Sequence, residues 1–175
     1  MRKYLSIAIL VFVSAPAYAQ RLTLDIPGLA DRAKEVVEVT LDGPLLRVAA
    51  KFLSGDDPDE RAAREIVTKL QGIYVKSYTF DNDGEYDQAI VERLRAQVST
   101  WKKIVTVREK SRETNDVYVD MRGEEVVGLA IINAEPRELT VVNIVGSIDL
   151  DKLSKIEGNF GIPRMRGGKR YRDRD

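Results

Sequence analysis

Asp116-Val-Tyr-Val-Asp-Met-Arg-Gly-Glu-Glu-Val-Val-Gly-Leu-Ala-Ile-Ile-Asn-Ala-Glu-Pro-Arg-Glu-Leu-Thr-Val-Val-Asn-Ile-Val-Gly-Ser147 is the stretch that decides the fold. It holds three β-rich segments, 116–122, 125–134 and 137–147, with turn residues Gly123 and Pro136 between them. Short β-branched runs separated by two or three turn residues read as consecutive antiparallel strands. The first segment alternates: Val117, Val119 and Met121 are apolar, and Tyr118, Asp120 and Arg122 fall between them. The next two are apolar on both faces, with Val126, Ala130 and Ile132 set against Val127, Leu129 and Ile131. An antiparallel sheet usually keeps one wet face, so something is expected to cover the second face here. The protein's own helices are the first explanation; a partner, a dimer mate or an apolar ligand is the second.

Upstream, the pattern changes period. Val36-Val-Glu-Val-Thr-Leu41 reads as a strand closed by Asp42-Gly43. Pro44 suits a first helical turn, with Leu45, Leu46, Ala49, Phe52 and Leu53 as the apolar stripe. A second start follows at Asp57-Pro58, with Asp59 and Glu60 complementing the positive helix end. Ala62, Ala63, Ile66, Val67 and Leu70 line its apolar face, and Gly72 is its expected stop. Ile73–Phe80 is the second strand, Tyr86, Ile90, Leu94 and Val98 mark a third helix, and Trp101–Val107 is the third strand. Asp149 is placed to cap a final short helix with Leu150, Leu153 and Ile156 inward. The expected order is β-α-α-β-α-β-β-β-β-α, an α+β domain with a mixed, mostly antiparallel sheet; a split β-α-β unit is the alternative.

The two ends read differently from the middle. Arg2 and Lys3, the short apolar run Leu5–Val13 and Ala17-Tyr-Ala19 have the form of a cleaved signal peptide, residues 1–19. Its core is too short for a stable membrane anchor. A single domain over 20–163 is expected next. Residues 164–175 contain six basic and two acidic side chains and read as a charged, disordered tail. After removal of Arg2 and Lys3 the chain has 26 basic and 28 acidic residues, so the body without its tail sits near −6. An acidic body argues against nucleic acid as a partner.

Composition restricts the chemistry further. The chain has no Cys and no His. The usual zinc site, a Ser-His-Asp triad and a Cys-His pair are therefore excluded. Catalysis would have to use carboxylates, Lys, Tyr or a hard metal on oxygen ligands. Without Cys and without an Asn-x-Ser/Thr site, export to a bacterial periplasm fits better than eukaryotic secretion.

Candidate sites have competing structural explanations. Asp81-Asn-Asp-Gly-Glu-Tyr-Asp87 with Glu92 suggests calcium, yet Tyr86 occupies the position that needs glycine, and the acids read as turn and helix-start residues. Asp56–Glu60 is explained by helix capping. Trp101 beside Lys102 and Lys103 reads as a core residue before it reads as a binding edge. The basic tail, with Tyr171, is a candidate contact for anionic surfaces. No catalytic, cofactor-binding or metal-binding residue is assigned.

Several blocks resemble the bacterial exported family known as the domain of unknown function 4252 family: Pro44-Leu-Leu-Arg47, Gly72-Ile-Tyr-Val75, Trp101-Lys-Lys-Ile-Val105, Gly128-Leu-Ala130 and, most specifically, Glu138-Leu-Thr-Val-Val-Asn-Ile-Val-Gly-Ser-Ile-Asp-Leu150. The resemblance implies a small secreted or lipid-anchored protein, with no site residues to carry over. This chain lacks the Cys that lipid anchoring requires. The expectation is a non-enzymatic periplasmic interaction or accessory module of the cell envelope. The alternatives are a binding protein for a small apolar ligand or lipid and, more weakly, a carboxylate-based hydrolase. Partner identity and oligomeric state are left open.

Overall fold

A computed structural model describes residues 21–53, 55–109 and 113–149. The signal segment 1–19, the final helix expected after Asp149 and the basic tail lie outside the described residues. Within them the order is β1 (Glu35–Asp42), α1 (Gly43–Phe52), α2 (Pro58–Val67), β2 (Leu70–Thr79), α3 (Gln88–Gln97), β3 (Lys102–Arg108), β4 (Thr114–Arg122), β5 (Glu125–Glu135) and β6 (Glu138–Ile148). The expected α+β class and element order hold for these residues.

The strands form one six-stranded sheet in the order β1-β2-β6-β5-β4-β3. Every neighbouring pair is antiparallel. Chain direction explains why. A pair of helices, α1 and α2, carries the chain out and back, so β2 starts where β1 ended and lies antiparallel beside it. A single helix, α3, then crosses the sheet, so β3 runs the same way as β2. Three strands lie between those two, and no parallel contact forms.

Pairing register places side chains in rows, because residues directly opposite share a face. On one face Val39, Val75, Val142, Ile131, Val117 and Val105 stand opposite one another across all six strands. Leu46 of α1 and Ala63 and Ile66 of α2 close one end of this face against Val119, Leu129 and Ile148. On the other face α3, through Ile90, Val91 and Leu94, packs with Leu22, Ile26 and Leu29 of the N-terminal arm over Tyr78, Ile132 and Leu139. The protein's own helices thus cover the α3 face fully and the other face only at one end, where Val117, Val119 and Leu129 are buried while Val75, Ile131 and Val142 stay half-buried.

Three details differ from the sequence reading. α2 ends at Val67, and Leu70 opens β2 instead of closing the helix, though it stays in the same apolar cluster. In β4 Tyr118 and Asp116 are buried, so this strand has no wet face at its centre. In α1 the sheet takes Leu46 and Ala50, while Leu45 and Phe52, expected in the stripe, are exposed. At about 100° per residue the helix presents a second apolar stripe, Leu45, Val48 and Phe52, away from the sheet.

Candidate functional site

The alternation Tyr74-Val-Lys-Ser-Tyr78 aims three polar-tipped side chains at the arm-covered face of the sheet. Lys76 is buried there, and its ammonium bonds Asp25 of the arm at 2.9 Å and Glu38 of β1 at 3.0 Å. The hydrogen bond to Asp25 outweighs the burial and raises its pKa, so the side chain stays charged. Beside it the ring of Tyr74 lies over Gly72: a Cβ on Gly72 would stand 2.5 Å from the Tyr74 hydroxyl, so a side chain there would displace the ring. The Arg21 guanidinium carbon sits 4.0 Å from the centroid of the same ring. An open cleft of about 300 Å3 runs between the arm and β1–β2, bordered by Arg21, Asp25, Glu38, Thr40, Tyr74 and Lys76. Two carboxylates converge in it, but they share one ammonium, an arrangement that neutralises charge.

A second cluster lies under α3. Asp116, 1% exposed, receives Arg95 Nη2 at 2.7 Å, Lys103 Nζ at 3.1 Å and the Thr106 hydroxyl at 2.6 Å. Burial alone would raise this carboxyl, but the hydrogen bonds from Thr106 and Lys103 and the charge of Arg95 hold it below its usual range. Arg95 also bonds Thr114 and Glu92, tying α3 to the sheet. Among the described residues no buried side-chain nitrogen or oxygen is left without a hydrogen bond. Both clusters are closed structural networks.

The acids singled out in the sequence are dispersed. Asp81 pairs with Lys34, Asp83 with Arg137 and Glu92 with Arg95, while Asp87 caps α3 by accepting the Ala89 N–H at 3.0 Å. Glu85 accepts two bonds from Asn82. Tyr86, ahead of the helix, donates its hydroxyl to the Glu135 carbonyl, and burial pushes that phenol up to about 12. Near Asp56–Glu60 the Asp57 carbonyl accepts Arg61 N–H, and Pro58 takes the first position of α2. Trp101 is a core residue packed on the backbone of Gly128, where a Cβ would come within 3.1 Å of the indole. The sequence reading did not single out Lys76, Asp116 or Asn143, although each occupies an inward position of a strand that the sequence located.

What the surface offers instead is apolar. Nine large apolar side chains among the described residues are exposed: Val36, Val37 and Val39 on β1, Leu45, Val48 and Phe52 on α1, Ile104 and Val107 on β3, and Met121. Eight of the nine therefore lie on the two edge strands and one helix. A patterned apolar exposure of this kind is a feature of surfaces that are covered in use.

The chain is thus an α+β protein with an open antiparallel sheet, helices on both faces, closed charge networks inside and apolar edges outside. It belongs to the family described as Domain of unknown function (DUF4252), whose model matches residues 31–156. No curated protein and no solved structure matches it. Among the described residues no helix is long and apolar enough to cross a membrane.

Proposed function

We propose that this protein is an accessory module of the bacterial cell envelope that works in the periplasm by binding other proteins, without catalysis. The observation that carries the reading is the gathering of exposed apolar side chains on α1, β1 and β3. Phe52, at 83% exposure, keeps most of its ring outside the fold. Arg47 and Lys51 stand exposed beside the α1 stripe, so the surface suits a protein partner that is apolar and edged with acidic groups. The signal-like sequence of residues 1–19 supports the location. A carrier of lipid or apolar ligand calls for an enclosed apolar chamber, whereas the cleft beside the arm is open and edged by Arg21, Asp25, Glu38 and Lys76.

Photo-crosslinking in the native host tests this. A photoreactive residue is placed at 37, 52 or 107, and at exposed control positions 31 and 88. Discrete adducts at the first three positions and none at the controls are expected. Equal labelling everywhere, or turnover by the purified protein that a single carboxylate substitution abolishes without unfolding it, contradicts the proposal.

A further inference from the structure

The sheet has two open edges, and they are opposite in charge. β1, Glu-Val-Val-Glu-Val-Thr-Leu-Asp, carries three acidic residues and no basic one. β3, Lys-Lys-Ile-Val-Thr-Val-Arg, carries three basic residues and no acidic one. Both strands are exposed along nearly their whole length, and each carries uncovered valines, Val37 at 46% and Val107 at 47%. Among the described residues no strand lies beyond either of them. An open edge presents unpaired backbone N–H and C=O groups, the template that strand addition uses.

We propose that the partner of these edges is a second copy of this chain, joined β1 to β3 so that the sheet continues from one molecule into the next. The inference rests on the contact reading above and names the partner. Strand direction permits the junction. Five antiparallel steps separate β1 from β3, so the two run opposite ways. A second copy in the same orientation then presents β3 antiparallel to the first copy's β1. Charge selects it over the alternatives. Pairing β1 with β1 sets two acidic strands side by side, and pairing β3 with β3 two basic ones, so like charges are brought close and oppose pairing. Only the mixed junction sets the signs against each other.

If the rows of the sheet run on without a step, Val37 and Val39 meet Val107 and Val105 on one face. On the other face Glu38 lies between Arg108 and Lys103. The apolar row Val39–Val105 then becomes continuous between molecules. Such a junction uses different surfaces on the two partners, so it leaves an edge free at each end and grows into short open chains.

The absence of native cysteine makes the test direct. Val37→Cys and Val107→Cys proteins are prepared separately, mixed under mild oxidation and compared with each alone. The 37–107 disulfide is expected to exceed the 37–37 and 107–107 products at least about fivefold, since only it joins edges of opposite charge. A Lys102→Glu/Arg108→Glu protein, altered at exposed side chains only, is expected to lose most of that product in the Val107→Cys background while keeping its circular dichroism spectrum. A 37–107 yield no higher than random pairing of the two proteins gives, or one indifferent to the β3 charge reversal, overturns the proposal. Adducts to other proteins at 37 and 107 in the native host, together with no 37–107 disulfide, overturn this inference and leave the contact reading standing.

Discussion

The Asn143 side chain, at the centre of the sheet, accepts the backbone N–H of Leu22 at 3.0 Å across 121 residues of sequence. Asn143 is fully buried, and its amide nitrogen donates to the Leu129 carbonyl at 3.4 Å. β1 begins at Glu35, six residues beyond Leu29, and this contact, two others at Tyr78 and the Asp25–Lys76 bond dock the arm on the sheet. The Tyr78 hydroxyl donates to Leu24 O at 3.1 Å and accepts from Ile26 N at 3.4 Å.

Removing the Asn143 side chain leaves the Leu22 N–H buried without a partner. Asn143→Ala is expected to destabilise by about 1–3 kcal/mol, with the loss concentrated in the arm. Hydrogen exchange should show Leu22 and Ile26 losing protection before the strands do. Uniform loss across the sheet counts against the arm as a separately docked element.

Asp116 is expected to contribute to acid sensitivity. Its folded pKa is held down, so its contribution is fully present above the ordinary carboxyl value of 3.8 and is lost as pH falls through the lower folded value. Asp116→Ala leaves Arg95 and Lys103, both in reach of water, without the buried carboxylate, and a loss of about 1–3 kcal/mol is expected at neutral pH. The difference between wild type and variant should shrink below pH 3.8. Denaturant unfolding between pH 2.5 and 7 reads it, and a constant difference contradicts the assignment.

Gly146 stands at φ 130, where the β2 strand makes its bulge between Leu70 and Gly72. A Cβ here would meet Leu70 Cα at 2.7 Å and the Lys69 carbonyl at 2.8 Å, both backbone. Gly146→Ala is expected to cost at least about 2 kcal/mol. Gly123→Ala, at φ 61 with open space around it, should cost less. Thermal melts of the two variants decide the order.

The two stripes of α1 give opposite expectations. Leu46→Ala empties a packed position and should cost about 2–5 kcal/mol. Phe52→Ala removes a larger side chain and should change stability by less than about 0.5 kcal/mol. An equal cost at both positions contradicts the exposed second stripe.

Much of the sheet was legible because β-branched residues alternate or run together between Gly, Pro and Asp-Gly turns, as in Val36–Leu41 and Val126–Ile132. The order of the strands was not. Pairing of β2 with β6 joins Tyr78 to Leu139, and nothing local in either segment encodes that distance. The stripe of α1 misled for a related reason: five apolar residues fit one broad face, and only the sheet selects Leu46 from among them and adds Ala50, which the stripe had left out. Lys76 and Asp116 were passed over because a charge in an inward strand position reads as a wet face until its partners, Asp25 and Arg95, arrive from elsewhere in the chain. The edges were legible only after the strand order was known, since the sequence does not say that β1 and β3 are outermost.

Sedimentation velocity of the purified protein over a concentration series, at low and high salt, tests most directly the joining of copies through their charged, apolar edges. The sedimentation coefficient should rise with concentration at low salt and fall back when salt screens the edges. A single monomeric species, unchanged in the high micromolar range at either ionic strength, contradicts it.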